Sequence, residues 1–284
     1  TQMKKVYLMA LAALAAFAFA GCDTEVSVKD VKEDARKEAE KLVYNHDTLY
    51  QTALLQSLTL GNFDGSITVG DFRKKGDTGL GTFQGVNGEM IMLDGKVYRA
   101  AWDGTVEEVK DDETIPFAAT THFDEDYTIE LTNINDLETL TRILSDYVNE
   151  KGKNYIYCVK VEGDFDTLNL RSVKPQTKPY KTLAEAMKSD QVFFDYENLG
   201  GTIVGVYCPN YLDGVNFYGW HMHFLSNDRE KGGHLLGVKF SKATVKIDLT
   251  NGVDIFMPDT DKFQELNLAA DQGDDIKNVE AGRK

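Results

Sequence analysis

Three of the chain's five histidines, His221, His223 and His234, fall within 14 residues, in the segment GWHMHFLSNDREKGGHLLG. Imidazole is the commonest side-chain ligand for zinc and related ions. Spacing adds to this. Successive side chains of a β-strand point to opposite faces, so His221 and His223 share one face while Met222 takes the other. Asn227, Asp228 and Arg229, then Gly232 and Gly233, mark a loop, and a second strand begins at His234. A hairpin across that loop returns His234 to the side of His223. Three convergent imidazoles leave at least one coordination position for water or a substrate, which is the habit of a catalytic metal site and not of a closed structural one. A histidine pair at this spacing also occurs on solvated strands; the third histidine across the hairpin favours the metal. His46 and His122 have no comparable neighbours and read as surface or core residues.

Other chemical motifs are weaker. The stretch GDTGLGTFQG (76–85) is glycine-rich, but it matches neither the dinucleotide fingerprint nor the phosphate-loop pattern, and no Lys-Ser or Lys-Thr follows it. It reads as a tight loop carrying the backbone past a site. The sequence holds no G-x-S-x-G and no cysteine with a clear histidine partner. Cys158 and Cys208 lie in strand-like runs; an exported chain can pair them, and two small core thiols fit equally well.

The elements that must position the histidines are mostly strands. FDGSITVGDF, GEMIMLDGKVYRAAW, KNYIYCVKVEGDFDTLNLRSV, GTIVGVYCPN, GVNFYGWHMHFLS, HLLGVKFSKATVKIDL and GVDIFMP are rich in β-branched and aromatic residues and bounded by Gly, Asp or Asn. Asp94-Gly95 is a hairpin turn signal. Helices are expected at about 46–60, at 134–149 with Leu137, Leu140 and Leu144 on one face, and at 181–189, where Thr182 and Glu185 are spaced as a capping box. Strands without regularly alternating helices predict an α+β protein: β-rich mixed or antiparallel sheets with a few helices, and the metal site on a β-hairpin.

Four segments in order along some 230 residues resemble the α-acetolactate decarboxylase family. They are LTLGNFDGSITVGDFRKKGDTGLGTFQGVNGEMIMLDGKVY, LRSVKPQTKPYKTL, GVNFYGWHMHFLSNDREKGGHLLG, and MPDTDKFQELNL with the tail DIKNVE. The resemblance implies a zinc-dependent carbon–carbon lyase that converts 2-acetolactate to acetoin and carbon dioxide. Its zinc ligands would be His221, His223 and His234, its active-site acids Glu89 and Glu280, and its arginine Arg171. It also implies a homodimer. The chemistry fits these parts. 2-Acetolactate is a β-keto acid, so the electron pair left by departing carbon dioxide delocalises onto the ketone oxygen, and Zn2+ stabilises that charge. Arg171 would orient the anionic substrate. Glu89, assisted by Glu280, would protonate the enediolate carbon, for which burial must raise a carboxyl pKa.

Composition bounds the partners. The 284 residues are 42% hydrophobic and 27% charged, with 31 Lys and Arg against 46 Asp and Glu, a net charge of −15. Such an acidic chain repels nucleic acid and has no charge-driven hold on anionic lipid. Lys4 and Lys5 followed by the apolar run 6–20 read as a secretory leader, too short to span a bilayer. Phe19-Ala20-Gly21-Cys22 resembles the lipobox of bacterial lipoproteins, with Phe19 where that pattern carries an aliphatic residue. The expected organisation is a lipoprotein signal peptide (1–22), a charged tether (23–44) and a folded body (45–284), divisible into β-rich halves at about 45–150 and 151–284. The chain is thus expected to be exported and held at the membrane by a lipid on Cys22.

Two other readings compete. A cupin-type oxygenase also uses a His-x-His hairpin, but normally with a glutamate about four residues after the second histidine; Glu230 lies seven after His223. Bound iron with oxygen uptake would mark that class. A non-enzymatic surface lipoprotein would bind metal or a small ligand without turning over 2-acetolactate.

Overall fold

A computed structural model describes residues 47–269. The leader with Cys22, the tether and Glu280 lie outside the described residues. Seven strands form a mixed sheet: β1 (Thr48–Thr52), β3 (Thr78–Thr82), β4 (Glu89–Leu93), β5 (Lys96–Ala100), β6 (Val106–Glu108), β8 (Phe117–Thr121) and β14 (Gly252–Phe256). Their order is β14-β1-β8-β3-β4-β5-β6, with β1 and β14 parallel and the other pairs antiparallel. Asp94 and Gly95 join β4 to β5 with φ of 52° and 76°, the left-handed pair that a two-residue hairpin turn needs. Two short strands, β2 (Ile67–Thr68) and β7 (Thr114–Ile115), form a separate ladder.

The second sheet is antiparallel and has the order β10-β11-β12-β13-β9, from β9 (Tyr127–Ile134), β10 (Ile156–Val173), β11 (Gln191–Cys208), β12 (Gly219–Ser226) and β13 (Gly232–Thr250). β10 pairs with both β11 and β13, so four strands curl into a closed cycle. One face of this sheet carries the largest apolar cluster, with Leu168, Leu170, Met222, Phe224 and Leu235. α3 (Leu137–Lys151) covers that face with Leu140, Leu144 and Val148, one stripe at helical spacing. Its first turn is capped by Asp136, which accepts from the Thr139 amide at 2.6 Å. The opposite face packs on the seven-stranded sheet. Val204 and Leu225 meet Ile91, Leu93, Tyr98 and Ala100 there, and Ile156, Cys158, Val206 and Cys208 meet Leu49, Leu80 and Ala119.

The α+β class is as expected, and several local assignments differ. The stretch expected as a helix at 46–60 is β1 followed by the five-residue α1 (Leu55–Thr59). β1 lies between β14 and β8 and is buried along nearly its whole length, so sheet pairing overrides a local apolar spacing that fits either state. FDGSITVGDF yields only β2 and the one-turn α2 (Val69–Phe72), because the Thr68 hydroxyl accepts from the Asp71 amide and starts a helix. The glycine-rich stretch is largely strand, β3, with the tight turn confined to 84–86. α4 (Leu183–Asp190) has the expected capping box, and α5 (Asp261–Glu265) follows β14. A division near residue 150 does not follow the sheets: β9 and β14 each join the sheet of the other half. Cys158 and Cys208 are free, buried thiols. Register pairs Cys158 with Val206, so Cys208 is its diagonal neighbour on the same face.

Candidate functional site

His221 and His223 project from β12 towards the seven-stranded sheet, while Met222 and Phe224 between and beyond them point into the large apolar cluster. The chain then turns through 227–231 and β13 starts at Gly232, with His223 in register opposite His234. Gly232 and Gly233, expected as loop, already belong to the strand. Glycine is required at 233, where a Cβ would stand 2.7 Å from the Arg171 carbonyl oxygen.

One irregularity aims His234. Asn169 pairs with Gly237 but Leu170 pairs with Leu235, so Leu236 is an extra residue on β13. Val238 and Leu235 both join the large apolar cluster with Leu168 and Leu170. With no bulge to absorb the extra residue, strict alternation from Val238 through Leu236 would put His234 on that apolar face. With the bulge, His234 lies beside Arg171 on one strand and His223 on the other.

The three rings sit with centroids 4.9, 5.1 and 5.3 Å apart. One ring nitrogen from each falls within 4.8 Å of the others, the one such group of histidine, cysteine or carboxylate atoms among the described residues. All three histidines are buried. His223 Nδ1 lies 2.8 Å from the Met90 carbonyl oxygen. A carbonyl only accepts, so Nδ1 donates and the Nε2 lone pair faces inward, 3.1 Å from His221 Nε2. Burial, with the Arg171 guanidinium nearby, pushes His221 down to about 3. Its ring is therefore neutral at ordinary pH, the form that ligates a cation. A compact set of three buried imidazoles, with the His223 lone pair turned inward, suits a borderline divalent ion such as zinc.

Glu89, the first residue of β4, reaches the group from the opposite sheet, with Oε2 3.5 Å from His223 Nε2. Arg171, on β10, is 2% exposed and in register with His234. Glu89, Arg171, His221 and His234 line one side of a pocket. The other side is apolar: Leu55 and Leu58 from α1, Leu183 and Met187 from α4, with Val86 and Phe117 between them. Thr82 lines it as well, its hydroxyl donating to the Gly88 carbonyl at 2.8 Å. Sequence reasoning missed Thr82, the apolar wall and the Met90 carbonyl. Wall residues read as ordinary core, and a backbone carbonyl carries no side-chain signal. Glu230 is exposed on the hairpin turn, and His122 stands by Asp77 at 3.9 Å; neither belongs to the group.

A small-molecule pocket that sets three buried imidazoles beside a buried arginine and a carboxylate, within an α+β fold, is the site of an enzyme, and the comparisons give its class as carboxy-lyase. The family model of α-acetolactate decarboxylase matches residues 49–270, so the chain belongs to that family. The chain is similar to the α-acetolactate decarboxylase of Methanosarcina mazei, at 37% identity over 92% of this chain and 91% of the relative. It is similar to that of Brevibacillus brevis at 34% identity, over 98% and 96%. The crystal structure of the Bacillus subtilis strain 168 α-acetolactate decarboxylase superposes with a TM-score of 0.79 at 31% identity, covering 83% of this chain and all of that one.

Proposed function

We propose that the chain decarboxylates 2-acetolactate to acetoin at a zinc ion held by His221, His223 and His234, with Arg171, Glu89 and Glu280 as the acting side chains. The observation that carries the reading is the convergence of three buried imidazoles, two of which, His221 and His234, line one pocket with Arg171 and Glu89. The chemistry supplied by a bound zinc is electrostatic, polarising the ketone and stabilising the charge that gathers on its oxygen. The chain's own residues do the rest. Arg171, buried and cationic, orients the anionic substrate. The carbon–carbon bond to the carboxylate breaks, its electron pair passes to the ketone oxygen, and carbon dioxide leaves. Glu89 then delivers a proton to the enediolate carbon on one face, which sets the product's chirality. Glu280, from the C-terminal segment, is assigned to assist it. The apolar wall shields the methyl groups and keeps bulk water from competing for that proton. We also propose export, a lipid on Cys22 and a homodimer. The basic n-region, apolar run and Phe19-Ala20-Gly21-Cys22 support the first two, and the family resemblance supports the last.

The test is elemental analysis of the purified protein together with an acetoin assay on 2-acetolactate. Zinc at one ion per chain and acetoin well above the spontaneous rate are expected, with both lost in His223→Ala. Full zinc occupancy without turnover would leave a metal-binding lipoprotein, and iron with oxygen uptake would leave an oxygenase.

A further inference from the structure

Beyond Phe117 of β8 and Val173 of β10, the apolar wall of the pocket comes from three chain segments outside the two main sheets: α1, the turn between β3 and β4, and α4. One side chain ties the approaches to all three. Gln84 Oε1 accepts from the Gly65 amide at 2.5 Å and from the Thr114 hydroxyl at 3.3 Å. Its Nε2 donates to Asp64 Oδ1 at 2.8 Å and to the Tyr180 hydroxyl at 3.0 Å. Tyr180 in turn donates to Asp64 Oδ1 at 3.2 Å, and Lys178 Nζ meets Asp64 Oδ2 at 2.8 Å. The next residue continues the lacing through the backbone. The Gly85 amide donates to the Phe63 carbonyl at 2.8 Å, and the Gln176 amide donates to the Gly85 carbonyl at 2.7 Å. Residues 63–65, just past α1, and 176–180, just before α4, are thus bound to the same two-residue turn.

The chemistry of this junction selects an amide. Donors arrive on one side, from Gly65 and Thr114. A carboxylate and a phenol oxygen wait on the other. Burial pushes Asp64 up, but hydrogen bonds from Lys178, Gln84 and Tyr180 outweigh it and hold the carboxyl below its ordinary value, so Asp64 is an anion and its bond from Gln84 is charge-assisted. A glutamate at 84 would set a second carboxylate against Asp64, and an asparagine is one methylene short. Gln84 does not line the pocket; its near neighbours Thr82, Val86 and Glu89 do.

We propose that Gln84 is a positioning residue, which through Asp64 and Tyr180 sets how closely the α1 and α4 walls stand to the imidazole face and so how firmly the substrate's apolar substituents are held. This rests on the decarboxylase reading above. Contacts to methyl groups are alike before and during bond cleavage, so loosening them weakens binding more than turnover.

The experiment compares wild type with Gln84→Ala, Gln84→Glu and Tyr180→Phe, the last of which keeps the ring packed on Phe63. Each is assayed for kcat and KM on 2-acetolactate, zinc content and amide hydrogen exchange across residues 183–190. Gln84→Ala is expected to raise KM about tenfold, the equivalent of one charge-assisted hydrogen bond, with kcat within about threefold and zinc unchanged. Its α4 amides should exchange faster. Gln84→Glu should show a raised KM at pH 8 that recovers towards pH 5, as a shared proton lets one carboxyl donate to the other; a purely structural lesion has no such recovery. Tyr180→Phe should fall between wild type and Gln84→Ala. Unchanged KM and exchange in Gln84→Ala, or a loss of zinc with KM unaltered, overturns the proposal. If wild type makes no acetoin, the decarboxylase reading fails on its own. The exchange of residues 183–190 then still decides whether Gln84 holds the wall.

Discussion

Asp248 gives the sharpest quantitative test of the packing between the sheets. It sits on β13 in register with Cys158, only 1% exposed, and its carboxylate accepts from the Asp124 amide at 3.4 Å and the Thr250 hydroxyl at 3.3 Å. Burial raises it from 3.8 to about 8, with the nearby charges of Asp126 and Asp124 pushing the same way and the two hydrogen bonds pulling against them. The folded chain therefore keeps a proton that the unfolded chain releases above about pH 4. Stability falls as pH rises from about 4 to about 8 and then levels off. A shift of this size corresponds to a ceiling of about 6 kcal/mol, which relaxation and water entry reduce to about 2–3 kcal/mol. Asp248→Asn removes the titration. Urea unfolding at pH 5, 6.5 and 8, at fixed zinc, should show wild type losing about 2–3 kcal/mol more than Asp248→Asn across that range. Comparing slopes cancels the constant effect of the new amide and the pH dependence of the histidines, which both proteins share. Parallel profiles would mean that Asp248 is ionised in the folded chain, and the argument from burial would be refuted.

Arg171→Ala should retain zinc and lose about 100-fold in kcat/KM, since a lost transition-state contact of this kind is worth about 3 kcal/mol; elemental analysis and steady-state kinetics check it together. Gly233→Ala forces a methyl group against the Arg171 carbonyl and should cost about 2 kcal/mol while weakening zinc affinity, because β13 must shift at the residue before His234; thermal melts with and without chelator separate the two effects. Thr182→Ala dismantles the capping box of α4 and should cost about 1 kcal/mol with the zinc content intact, as read by urea unfolding.

The hairpin with its three imidazoles was legible because it rests on two rules that need no tertiary knowledge: alternation along a strand, and the return of the chain after a polar turn. The helix at 137–151 and the cap at Thr182 were legible for the same reason, since their signals lie within one element. Residues 46–60 were misread because Leu49 and Leu55 suit a helix or a strand alike, and only the places of β14 and β8 on either side of β1 decide between them. Glu89 and Arg171 carry no local sign of function; each reads alone as a strand residue. They entered through family resemblance, and the two sheets bring them to the histidines from opposite sides. Gln84 had been covered only by the expectation of a tight loop, because its partners lie 19, 20, 30 and 96 residues away along the chain.

The extra residue at Leu236 makes β13 one residue longer than the stretch of β10 it pairs with, and the bulge is what keeps the faces of the two strands in step. Straightening the strand at its full length would swap inside for outside at its start, turning the imidazole of His234 into the oily layer under α3 and presenting leucine to the pocket. Deleting Leu236 would instead leave Leu170 opposite Leu235 and Arg171 opposite His234 in an unbroken ladder, so the loss of that one residue would spare the ligand.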